Sequence, residues 1–124
     1  MKVQRVASQI VGIPADEPLA DGKGTPGGTR DYVVVRVQAA GGIEGIGVAG
    51  FGGALTPALK SAVDSLGALA IGEDASAVER YHAKVMEAAG GAGPGGILML
   101  ALSAIDMALW DIRGKALGVS VSRI

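Results

Sequence analysis

The sequence predicts an α+β fold, a three-stranded antiparallel meander followed by a bundle of about three helices. Three observations carry that expectation. Runs of β-branched residues are confined to about the first fifty positions, helical periodicity governs the chain after Thr56, and no strand-helix-strand alternation separates the two. With 124 residues the chain is one domain, too short for an eight-stranded α/β barrel, which needs about 250 residues.

Residues 3–13 are mostly β-formers and Pro14 stops them, which predicts a first strand. Residues 15–29 carry Pro18, Gly22, Gly24, Pro26, Gly27 and Gly28 among small and charged side chains, so they read as a long loop, expected to be mobile. A loop of that length inside a compact domain is more often functional than accidental, with plain disorder as the alternative. Residues 32–37, Tyr-Val-Val-Val-Arg-Val, give the strongest strand signal. Ala39-Ala40-Gly41-Gly42 supplies a turn, and residues 43–48 then alternate large with small or polar side chains, which predicts a β-hairpin.

Thr56-Pro57 predicts a helix start, with the hydroxyl capping free amides and proline at a position that needs no N–H. Leu59, Val63, Leu66 and Ala70 recur at helical spacing until Gly72. Ser76-x-x-Glu79 resembles a capping box for a second helix with Val78, His82, Val85 and Met86 on one stripe. The glycines at 90, 91, 93, 95 and 96, with Pro94, break the chain again. A third helix over 97–117 places Ile97, Leu98, Ala101, Ile105, Ala108, Leu109, Ile112 and Ala116 on a broad apolar face.

Composition removes several classes of function. A net charge of -1 with no basic block, and only four aromatic residues, argue against a nucleic-acid partner. The absence of Cys excludes disulfides, thiolate nucleophiles and Cys-ligated zinc, and fits a cytoplasmic location. Residues 3–6, Val-Gln-Arg-Val, do not begin an export signal. The longest apolar run, residues 97–102, falls far short of the roughly 20 residues a membrane span needs, so the chain is expected to be soluble and without a membrane partner.

The motifs narrow the choice further. Gly45-Ile46-Gly47-Val48-Ala49-Gly50 matches G-x-G-x-x-G, but the dinucleotide fingerprint needs a strand ending at the glycines and a helix starting at once. Here the glycines fall inside a strand. His82, the only histidine, reads as a partly buried packing residue, and no nucleophile elbow accompanies it. Asp106 and Asp111 are five residues apart, about 140° around a helix axis, and so cannot share a site. Asp111 and Lys115 have the spacing of a surface pair, and Asp106, set among apolar neighbours, is expected to find a partner outside its helix. No metal ligands are assigned.

The last third carries a specific resemblance. Residues 101–118, ALSAIDMALWDIRGKALG, are similar to the signature helix of the enolase superfamily, and more narrowly to the N-terminal capping domain of its mandelate racemase and muconate lactonizing group. The hairpin Gly42-Ile43-Glu44-Gly45-Ile46-Gly47, the link Ile71-Gly72-Glu73-Asp74 and the glycine break before the long helix extend the match along the chain. Within that group the hairpin and Gly72-Glu73-Asp74 look most like the acid-sugar dehydratases, talarate/galactarate dehydratase among them. Val48 stands where many relatives carry Glu, and Ser120 where many carry Pro.

The resemblance implies that residues 1–124 are a substrate-specificity cap for a (β/α)₈ barrel that this sequence does not contain. It implies a lyase or isomerase chemistry, in which Mg²⁺ bound by the barrel holds a carboxylate substrate while a base removes the adjacent proton. The catalytic and metal-binding residues would then lie in the barrel, and this chain alone is expected to be inactive. The expected partners are a small-molecule carboxylate, the protein's own barrel and, at full length, further copies in a homo-oligomer. By position, the resemblance assigns substrate-facing or hinge roles to Pro14, Lys23, Thr25 and Arg30 around the first loop, and to Phe51 and Gly52 in the loop after the third strand. Two alternatives remain at this point: a stand-alone, non-catalytic interaction domain, and a dinucleotide-binding module.

Overall fold

A computed structural model describes residues 1–14, 28–50 and 52–124. Three strands, β1 (Val3–Pro14), β2 (Thr29–Ala39) and β3 (Glu44–Ala49), form one antiparallel sheet in the order β1-β2-β3. Three helices follow, α1 (Thr56–Ala70), α2 (Val78–Ala89) and α3 (Ile97–Leu117), with short 3₁₀ turns at Gly53–Leu55, Gly90–Ala92 and Val121–Arg123. The meander followed by a helical layer is the architecture the sequence predicts.

The period-2 alternation of β2 decides which face of the sheet is covered. Val33, Val35, Val37 and Ala39 are fully buried under the helices, while Arg36 and Gln38 point to the other side. Burying each valine contributes about 1.5–3 kcal/mol. Gly41 and Gly42, at φ of 89° and 80°, make the β2-β3 turn in a backbone region that side-chain-bearing residues avoid.

α3 is the centre of the helical layer and touches β3, β2, α1 and α2. Its contact with β3 explains the glycine pattern of that strand. A Cβ added to Gly45 would stand 2.0 Å from the Ala108 carbonyl oxygen, and one added to Gly47 would stand 1.7 Å from that of Ala104. The two glycines and the alanines opposite them let helix and strand backbones meet. The segment that matches a dinucleotide fingerprint is therefore a close-packing seam inside β3, with no helix starting from it.

Several local expectations are corrected. Thr56 caps no amide: it is the first residue of α1, and its hydroxyl donates to the Gly53 carbonyl at 2.8 Å. Ser76 is not a capping residue either, because Asp74 engages both its hydroxyl, at 2.7 Å, and its amide, at 3.1 Å. The buried stripe of α2 runs through Val78, Tyr81 and Val85, leaving His82 partly exposed and Met86 exposed. On α3 the buried face includes Leu102 and Ala104, whereas Ile97 and Ala116 lie outside it.

Polar contacts tie the layers together. Asp106 finds the expected partner outside its helix, His82 on α2, at 2.9 Å. The Asp111–Lys115 pair does more than decorate a surface. Asp111 accepts from the Ile46 amide at 3.0 Å and Lys115 donates to the Glu44 carbonyl at 2.7 Å, so both reach the outer edge of β3. Ser8 donates to Asp64, joining β1 to α1, and the terminal ammonium of Met1 pairs with Asp74 at 3.0 Å.

Candidate functional site

Strand register sets Pro14 and Arg30 at one end of the sheet. Pro14, exposed at the end of β1, lies opposite Thr29, and Ile13 lies opposite Arg30, so both flanks of the first loop leave the same pair of strand ends. Two residues further along β2, the Tyr32 ring lies against Gly50, where an added Cβ would come 3.1 Å from a ring carbon. The loop after β3 thus departs beside the strand that carries Arg30. Of the residues singled out from sequence, Lys23, Thr25 and Phe51 lie outside the described residues.

Gly52 is held by the turn that starts α1. The Leu55 amide donates to its carbonyl at 2.8 Å, and a Cβ at Gly52 would come within 2.8 Å of the Thr56 Oγ1. Thr56 is buried with its hydroxyl bonded to Gly53. The two residues therefore fix how the chain passes from β3 into the helical layer. Composition signalled this turn only as glycine and a proline, because a hydroxyl-to-carbonyl bond inside a 3₁₀ turn leaves no periodic trace.

The strongly perturbed titratable groups lie away from this end. Hydrogen bonds from the Ser76 hydroxyl, the terminal ammonium and the Ser76 amide hold Asp74 far below the usual carboxylate range. Burial works to raise Asp64 and Asp111. For Asp64 the Lys60 and Ser8 hydrogen bonds outweigh it, and for Asp111 the Lys115 hydrogen bond and the Ile46 amide do, so both stay below their ordinary values. Glu73 is lowered by its hydrogen bond and ion pair with Lys84. Each of these groups has a structural partner that accounts for its shift.

Among the described residues no group of three or more His, Cys, Asp or Glu side chains converges to hold a metal ion. The described residues therefore assemble no donor set for a divalent cation. A groove of about 400 Å³ runs between α1, the end of α2 and the start of α3, but Ser65 is the only side-chain hydroxyl in a wall otherwise made of Ala, Leu and Ile. Such a wall offers no cation for a carboxylate ligand. None of the described helices is long and apolar enough to cross a membrane.

Residues 9–124 match the family described as mandelate racemase / muconate lactonizing enzyme, N-terminal domain. The chain belongs to that family. Chloromuconate cycloisomerase of Delftia acidovorans is 33% identical over 98% of this chain and 33% of its own length. L-talarate/galactarate dehydratase of Salmonella typhimurium is 26% identical over 99% of this chain and 32% of its own length. Among solved structures, L-talarate dehydratase from Polaromonas sp. JS666, complexed with Mg and L-glucarate, superimposes with a TM-score of 0.85 over 98% of this chain and 34% of that one, at 25% identity. This N-terminal domain thus spans about a third of the length of these relatives. Its meander and helical layer are the enolase N-terminal architecture, and the relatives span both dehydratases and cycloisomerases.

Proposed function

We propose that this chain is the substrate-specificity cap of a Mg²⁺-dependent enolase-superfamily enzyme that removes the proton α to a carboxylate, of the acid-sugar dehydratase or racemase kind. The observation that carries the reading is the family match over residues 9–124 of a fold whose two loop-bearing strand ends lie side by side. One domain, residues 1–124, does the capping, and a barrel domain beyond it holds the metal and the bases. A metal bound there would supply positive charge to the substrate carboxylate and to the negative charge that develops as the proton leaves. A cytoplasmic location belongs to the same reading.

On this reading the contribution of the chain is binding and exclusion of water. Lys23 and Arg30 provide cations for the distal carboxylate or hydroxyls of an acid sugar, and Phe51 and Gly52 close against its carbon chain. Arg30→Ala and Lys23→Ala in the complete enzyme are expected to raise KM about tenfold each with a smaller change in kcat, since each removes about 1.4 kcal/mol of binding present in both ground and transition states. Steady-state kinetics on an acid-sugar panel with Mg²⁺ reads that split directly. Equal losses in kcat and kcat/KM with KM unchanged would assign these residues to the chemical step instead.

The deciding experiment is the intact mass of the protein from its natural source, followed by an assay for 2-keto acid formation. A mass of about 40 kDa, the cap plus a barrel of about 250 residues, is expected together with Mg²⁺-dependent turnover of an acid sugar. A protein of 12.3 kDa without turnover would overturn the reading in favour of a stand-alone interaction domain.

A further inference from the structure

The two edges of the sheet are treated differently. On β3 the Ile46 amide and the Glu44 carbonyl, which point away from β2, are taken up by Asp111 and Lys115 of α3. The same alternation, carried through the strand register, points the main-chain groups of Val6, Ser8, Ile10 and Gly12 away from β2 on the other edge. Among the described residues, the start of that edge alone has a main-chain partner. Val3 exchanges hydrogen bonds of 2.9 Å with Glu73 and Gly72 before the register shifts between Val3 and Arg5. From Val6 to Gly12, among the described residues, no main-chain group bonds to this edge.

We propose that this stretch of β1 pairs with the same stretch of a second copy of the chain, joining two sheets into one of six antiparallel strands. Residues 6–13, Val-Ala-Ser-Gln-Ile-Val-Gly-Ile, carry no charge and no proline, the two devices that commonly keep an edge strand apart from another. About a two-fold axis the segment runs antiparallel to itself, so the absence of charge means that no like charges meet anywhere along the seam.

Side-chain burial points to the same partner. Ile10 lies opposite the fully buried Val33, on the helix-bearing face, yet is 40% exposed. α1 covers this face of β1 only as far as Gly67, packed on Val6, and Asp64, bonded to Ser8. A second copy brings its own Ile10 to that uncovered position and continues both layers, sheet and helices, across the axis. The inference is independent of the catalytic reading, because it concerns the 124-residue chain itself.

The test is the mass of this chain in solution by sedimentation equilibrium across the micromolar range. A mass of twice 12.3 kDa at the upper concentrations is expected. Ile10→Pro removes an edge-facing N–H that the pairing with β2 does not use, and Ile10→Lys sets a charge against its own copy. Both variants are expected to raise the dimer dissociation constant at least about tenfold, a loss of about 1.4 kcal/mol, with the circular dichroism unchanged. In the unaltered chain, amide exchange at Ser8, Ile10 and Gly12 should slow as concentration rises, while that at Gln9 and Val11 stays slow throughout, a readout that does not depend on either variant folding. A monomer at every concentration, a dimer that survives both substitutions, or edge amides indifferent to concentration would each overturn the proposal.

Discussion

At Gly47 a single hydrogen atom decides whether α3 can lie on the sheet. An added methyl group would sit 1.7 Å from the Ala104 carbonyl oxygen, and backbone cannot turn aside as a side chain can. Gly47→Ala and Gly45→Ala are therefore expected to destabilise at or beyond the upper end of the about 1–3 kcal/mol typical of overpacking, read as a lower denaturant midpoint. A loss below about 0.5 kcal/mol would show that α3 slides freely on β3. The sequence shows that these glycines belong to a strand, but their purpose depends on residues some sixty positions away, which no local pattern encodes. Tyr81 is the converse case. Its ring is buried in the core and its hydroxyl donates to the Leu66 carbonyl at 2.9 Å. The helical stripe drawn through His82 and Met86 misses it, because an amphipathic side chain reads as surface until its partner fifteen residues back is known. Tyr81→Phe should cost about 1 kcal/mol in the same assay.

Elements were more legible than their ends. Periodicity placed all three helices, and α3 matches its expected bounds at Ile97–Leu117, because burial of an apolar face is a property of the whole element. Starts depend on which polar group wins a local competition. Ser76 has the spacing of a capping box, yet Asp74, two residues earlier, engages its hydroxyl and amide, and the residue preceding α2 is Ala77. The C-terminus of α3 is better determined. Gly118 adopts φ 68° and its amide reaches the carbonyls of Gly114 and Lys115. Gly118→Ala forces a Cβ into that left-handed conformation and is expected to cost about 1 kcal/mol, with fraying confined to the last turn of α3 by amide exchange. A global loss of protection at the same cost would mean instead that the cap holds α3 onto β3. The candidate site is legible to the same degree. Strand register sets Pro14 and Arg30 at adjoining strand ends, whereas the contacts that position Gly52 run through a buried threonine that reads as a cap.

For the molecule as a whole, the acidic residues act as staples between layers. Asp64 joins α1 to β1, Asp74 anchors the N-terminus, Glu73 meets Lys84 of α2, and Asp111 ties α3 to β3. All four are held below their ordinary values by those contacts, so the folded state releases their protons more readily than the unfolded chain does. Their contribution is therefore fully present above the unfolded carboxylate range, about 3.9–4.3, and is lost as pH falls through the folded values. Tyr81 works at the other end of the scale. Burial raises its hydroxyl well above the ordinary value of about 10, so the stability it adds is present below that pH and fades as alkali ionises it in the unfolded chain. The denaturant midpoint should accordingly stay level from about pH 5 to 9 and fall on both sides. Asp111→Asn keeps an acceptor for the Ile46 amide but removes the charge that Lys115 pairs with, and should make the acid limb shallower while leaving the alkaline limb in place. An acid limb unaltered by that substitution would assign acid lability to the other three carboxylates and leave Asp111 with no more than a neutral hydrogen bond to the edge of the sheet.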